Sequence, residues 1–171
     1  MTSYLKSSIC LIALMTMSTV ASAQFSADSN APVTGSADGV DYGPNVTTFT
    51  GQVDVRQGEV RILSDRMRVH TTDGATGAGA IGGAHKIEAI GNFYYLTPEQ
   101  EVRGNRGVYI KATETFTVTG DVVLLQQENV VTCDKLVYNL NTGTAKVSGS
   151  CKGRKCGSKG RVNILLKNTN N

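Results

Sequence analysis

Apolar side chains recur through the middle of this chain at fixed offsets from three glycines, Gly51, Gly91 and Gly120. Two residues on stand Val53, Phe93 and Val122, and four on stand Val55, Tyr95 and Leu124. Eleven on come Ile62, Val102 and Val131, and eighteen on come Val69, Tyr109 and Tyr138. A polar residue followed by a basic one fills offsets 14 and 15 each time: Asp65 and Arg66, Asn105 and Arg106, Asp134 and Lys135. Residues two apart share one face of extended chain, so the spacing predicts strands with one apolar face. These strands are expected over residues 47–57, 60–70, 87–96, 102–111, 115–126, 130–140, 144–148 and 161–167. The 141–143 stretch, Asn-Thr-Gly, is expected as a hairpin turn. Repetition at this period predicts small stacked units, none able to bury its apolar face alone.

Residues 24–44 are rich in Ser, Ala, Gly and Asp and read as a flexible arm. Its end, from Asp38 to Tyr42, resembles the stretch from Asp134 to Tyr138 and is expected as part of a further unit. The glycine-rich insert at 71–83 lengthens the step from Gly51 to Gly91 relative to the later 29-residue step. It lacks the Gly-Lys-Ser/Thr ending of a phosphate-cradling loop and reads as a flexible connection at a sheet corner. One β-domain over 45–167, with a polar tail at 168–171, is the expected organisation. A stack of this kind can be an open two-sheet jelly roll or a closed barrel, and degraded end units favour the open form. Open ends present unpaired backbone groups to which another chain can add a strand.

Composition agrees with an all-β reading: 19 glycines, three prolines, no tryptophan and no long helical period outside the leader. Residues 1–23 carry Lys6, a short apolar core at 9–17 and an Ala21-Ser22-Ala23 cleavage site, the signature of a cleaved signal peptide. The apolar run is shorter than the ~20 residues a membrane-spanning helix needs. Net charge is +3, but no acidic residue follows Asp134 while eight basic ones do. That basic segment reads as a solvated tail, or as one attracting anionic headgroups or phosphates. Nucleic acid is not an expected partner, because no nucleic-acid-binding signature is present.

Cys133, Cys151 and Cys156 remain after cleavage, and an oxidising compartment favours a bridge. Cys151 and Cys156 are nearest in sequence, though three thiols leave the pairing open. Zinc held with His70 or His85 matches no common ligand spacing, so no metal or other cofactor is expected.

Three segments resemble the LptA/OstA family of periplasmic lipopolysaccharide-transport proteins. They are 45–58 (NVTTFTGQVDVRQG) with 64–67 (SDRM), 118–127 (VTGDVVLLQQ) with 133–138 (CDKLVY), and 160–165 (GRVNIL). The resemblance covers residues 31–167. It implies an open, V-shaped β-jelly roll of stacked repeated strands whose two sheets enclose an apolar groove. It also implies binding of lipopolysaccharide through the lipid A acyl chains, and head-to-tail self-association into a bridge from inner to outer membrane. Jelly-roll domains of inner- and outer-membrane components would join by β-strand addition. Val33, Phe93 and Tyr109 match groove contacts of the family; Lys111 departs from a family leucine, and the cysteines are a second departure.

Together, repeat and resemblance place a lipid-binding groove at Val33, Val53, Val55, Ile62, Met67, Phe93, Tyr109, Val122, Leu124, Val131 and Tyr138. The same alternation also describes a filled core, with Tyr109 and Tyr138 satisfied at its rim. No nucleophile motif accompanies the two histidines, and Asp65 and Asp134 read as turn or strand-edge residues, so no enzyme is expected. A lipid-transfer bridge, a structural assembly module of the envelope and a carbohydrate-binding β-solenoid are the remaining function classes.

Overall fold

A computed structural model describes residues 31–72, 80–81, 83–151, 156 and 160–167. The leader, most of the glycine-rich insert, most of the basic segment after Cys151 and the 168–171 tail lie outside the described residues. Ten strands follow one another: β1 (Val33–Ser36), β2 (Gly39–Tyr42), β3 (Val46–Gln57), β4 (Val60–Thr71), β5 (Ala84–Leu96), β6 (Gln100–Ile110), β7 (Thr115–Gln126), β8 (Asn129–Asn139), β9 (Thr144–Ser148) and β10 (Asn163–Leu165). A 3₁₀ turn, Lys111–Thr113, links β6 to β7. Pairing is antiparallel, with neighbours in the order β1-β3-β4-β5-β6-β7-β8-β10. Strands β2 and β9 pair with β3 and β8. The first and last strands do not pair, so the sheet is open rather than barrelled.

The stretch read as an arm contains β1 and β2, both laid on β3. Expected strand 161–167 is shorter, confined to β10. Strands β9 and β10 both lie on β8, opposite Lys135–Asn139 and Val130–Thr132 respectively. They lie end to end along the same edge of that strand.

Strands β3, β5 and β7 each break their ladders at the repeat glycine. Gly51, Gly91 and Gly120 have φ of 77°, 77° and 81°, and the residues after them, Gln52, Asn92 and Asp121, are also left-handed. Two successive left-handed residues make a bulge, seen as register shifts at Thr50/Val53, Ile90/Phe93 and Thr119/Val122. Because the bulges align across the sheet, every long strand is divided into two halves, which form two leaves. One leaf carries residues such as Ile62, Tyr95, Val102 and Leu124; the other carries Ile87, Tyr109, Phe116 and Tyr138. The Tyr95 and Phe116 rings come from opposite leaves of non-adjacent strands, yet their centroids lie 5.4 Å apart. The leaves therefore fold over one another with their apolar faces inward.

At the N-terminal end this interior is filled. Val53, Val55, Met67 and Val69 are fully buried, with Val33 and Ala37 packed against them. Ala80 and Ile81 are buried in the same cluster. The insert thus contributes core as well as connection, a role its glycine content hid. Burying an Ile side chain stabilises by about 1.5–3 kcal/mol, enough to hold Ile81 against the sheet.

Candidate functional site

Beyond the filled end, the leaves separate around an open apolar trough with a cavity volume of about 230 Å³. That is just below the ~300–1,000 Å³ usual for ligand pockets, so the trough covers part of a large lipid at a time. Its interior presents Ile62, Ile87, Phe93, Tyr95, Phe116 and Leu136. One rim carries Gln100 and Gln126, and the other carries Leu140 and Gly143. Apolar walls with amides on one lip suit a guest with an oily body and a wet end.

Five of the residues expected to line a groove do so: Ile62, Phe93, Tyr109, Leu124 and Tyr138. Val53, Val55 and Met67 instead sit in the filled end, away from the trough lining. Val122 is buried beside Cys133 and lines a separate, small hollow. Val33 packs against the core from β1, and half-buried Val131 pairs with Leu124 and Ile164; neither Val33 nor Val131 lines the trough. These positions follow the repeat faithfully; depth along the stack separates core from trough.

Several lining residues were missed. Ile87 and Ala89 stand four and two residues before Gly91; Phe116 stands four before Gly120, and Ala145 four before Gly149. Extending the repeat upstream of its glycine would have found them. Gly107 carries a subtler signal. It occupies the offset filled by Met67 and Leu136 in the other units, and a Cβ there would lie 2.5 Å from Phe93 Cε2. Its missing side chain is what lets the Phe93 ring lie flat in the wall, 5.5 Å from Phe116.

The polar groups near the trough are satisfied. Tyr109 donates its hydroxyl to Glu114 Oε2 at 2.9 Å, which lets the ring stay buried without an orphaned oxygen. Glu114 takes a left-handed conformation after the 3₁₀ turn, and its carbonyl accepts from the Leu140 amide at 2.8 Å. Lys111 starts that same turn, beside the rim rather than in the wall.

Away from the trough, Cys151 is disulfide-bonded to Cys156, and Cys133 is a buried free thiol. His70 and His85 approach edge to face at 6.2 Å. Among the described residues no group of three His, Cys, Asp or Glu side chains is placed to hold a metal ion.

The open β-sheet has counterparts among known proteins. Residues 22–144 match the family described as LptA/(LptD N-terminal domain) LPS transport protein. The chain belongs to this family. Its members transport lipopolysaccharide rather than catalyse a reaction. No curated protein sequence matches the chain significantly. Among solved structures, it is similar to LptH from Pseudomonas aeruginosa, described as the LptA-homologous periplasmic component of the lipopolysaccharide transport device. That similarity has a TM-score of 0.66 at 16% identity, covering 84% of this chain and all of the other. At that identity the likeness is one of fold.

Proposed function

We propose that this protein works in the periplasm, after removal of its leader, holding lipopolysaccharide by its acyl chains in the trough. In this reading it passes the lipid from inner toward outer membrane. The open apolar trough carries the proposal. Exposing one C12-like acyl chain to water costs roughly 9 kcal/mol, at ~0.8 kcal/mol per CH₂, so a carrier must keep several chains covered at once. A wall of aromatic and aliphatic side chains does this without a directional bond to each chain, which leaves the lipid free to slide onward.

The ends of the sheet support assembly in line. At one end β1 and β2 are short, with Tyr42 exposed. At the other, Ile164, Leu165 and Leu166 are about two-thirds exposed on and beside the edge strand β10. Unlike ends of one chain that join by strand addition propagate an open array. The same contacts would serve jelly-roll domains of partners at either membrane.

A photoreactive residue tests the trough. Placed at Phe116 or Leu124 it should label lipopolysaccharide, whereas at Thr117, on the outer face, it should not. Labelling of protein alone from both inner positions would sink the proposal.

A further inference from the structure

The basic residue at offset 15 of each unit has no part in the trough, and the register shows where it goes. Arg66 pairs with Ile90, Ile90 with Arg106, Arg106 with Thr119, and Thr119 with Lys135. The repeat thus lays a straight row of cations across five strands on the outer face of one leaf. Successive members are two strands, or roughly 10 Å, apart. All three are exposed, while Met67, Gly107 and Leu136, each next in sequence, are buried. The neighbouring row runs Arg68, Glu88, Val108, Thr117, Val137 and Lys146.

Two carboxylates face outward from the paired strands of this leaf, and at its bulge edge Asp65 and Asp134 stand beside Arg66 and Lys135, turned to Gly91 and to the Ser150 amide. Glu88 is engaged by Lys86 at 2.9 Å, Arg106 at 2.6 Å and His70 at 3.2 Å. Asp41 lies two strands beyond Arg68, on β2. Against them stand Arg66, Arg68, Lys86, Arg106, Lys135 and Lys146. The outer face of the other leaf is nearly balanced: Asp54 is held by Arg56 and Arg61, and Glu101 is accompanied by Arg103. Among the described strand residues, the outward-facing cationic excess therefore lies mainly on one leaf.

We propose that this leaf docks on an anionic lipid bilayer, its cation row facing headgroup phosphates. The face is an exposed sheet surface in which the cations are separated by Ile90 and Thr119. Such evenly spaced cations suit a plane of repeated phosphates better than a single acidic protein contact. Flexible Arg and Lys stems can extend their charges toward the headgroups from that surface. The inference does not depend on acyl chains occupying the trough.

Vesicle cosedimentation tests it. The leaderless protein should bind phosphatidylglycerol-containing vesicles at low ionic strength, bind pure phosphatidylcholine far less, and lose binding as salt rises. Arg66→Gln/Arg68→Gln/Lys135→Gln avoids the cations that hold Glu88, so its melting temperature should match that of the parent. Its affinity for the anionic vesicles should fall on the order of 100-fold, at roughly fivefold per charge. Arg103→Gln, on the balanced leaf, should leave affinity unchanged. Equal binding to both vesicle types, or a triple variant that binds like the parent, overturns the proposal. Photolabelling of lipopolysaccharide from Phe116 should persist in the triple variant, so the two readings can fail separately.

Discussion

The Asn105 side chain lies against Gly120 so closely that a Cβ on the glycine would stand 2.6 Å from its Nδ2 and 2.8 Å from its own Cβ. The relationship repeats along the stack. Asp38 covers Gly51 and Asp65 covers Gly91, while Asp134 accepts the Ser150 amide at 2.6 Å, next to Gly149. The polar residue at offset 14 is thus the cap on the next unit's bulge, and the glycine is required twice over, for its φ of 81° and for the space. Gly120→Ala should cost about 2–4 kcal/mol in chemical denaturation, from left-handed strain and the clash together. Pairing it with Asn105→Gly should recover the steric share only. A double variant whose losses simply add would show that the two residues are independent.

Gly107→Ala should push the Phe93 ring off its place in the trough wall. Overpacking of this kind costs typically about 1–3 kcal/mol. Lipopolysaccharide photolabelling from Phe116 should weaken along with stability, since the displaced ring has the trough as its nearest free space. Unchanged labelling at reduced stability would place the adjustment elsewhere.

Thr47→Val should stabilise the fold. Thr47 sits in the filled end at the offset of Ile87 and Phe116, almost fully buried, and its hydroxyl has no hydrogen-bond partner among the described residues. Removing an unsatisfied buried hydroxyl without changing shape is worth about 1 kcal/mol. A thermal melt that moves down rather than up would count against it.

Acid should loosen the cation-bearing leaf through Glu88. Lys86 above all, then His70 and Arg106, hold its carboxyl at about 2, against desolvation that acts the other way. Because the folded value lies below the usual one near 4.5, the stabilisation is complete above that pH and is lost as pH falls toward 2. Up to about 3 kcal/mol is at stake. Asp54, held at about 2 by Arg61 and then Arg56, titrates in a similar range on the other leaf. Denaturation curves between those pH values should flatten in part for Glu88→Gln.

The cysteines should separate by reactivity. Burial pushes the Cys133 thiol above its ordinary pKa, so it should resist alkylation until the protein unfolds. Reduction should make Cys151 and Cys156 reactive first, at a cost of about 2 kcal/mol for so short a loop. Mass spectrometry after timed alkylation checks the order, and early modification of Cys133 would contradict its burial.

The alternation around Gly51, Gly91 and Gly120 was enough to reveal strands, their inward faces and their stacking, because a period of 2 maps directly onto the two sides of a sheet. It also placed Phe93, Tyr109, Leu124 and Tyr138 on the apolar side. Equivalent offsets could not show that Val53 and Met67 lie in solid core while Leu124 and Tyr138 meet open space. That difference comes from Ala80 and Ile81, buried at one end, and from Gly107, whose absent side chain reshapes the wall. Both are long-range contacts, invisible to local periodicity.

Sequence by itself therefore determined the unit: one glycine bulge, one polar cap, one basic outer residue and an apolar inner face, all set by backbone sterics and alternation. Only the tertiary structure decided where the paired leaves close and where they part. Closure depends on which side chains from distant units meet across the interior, and on how much volume they fill there.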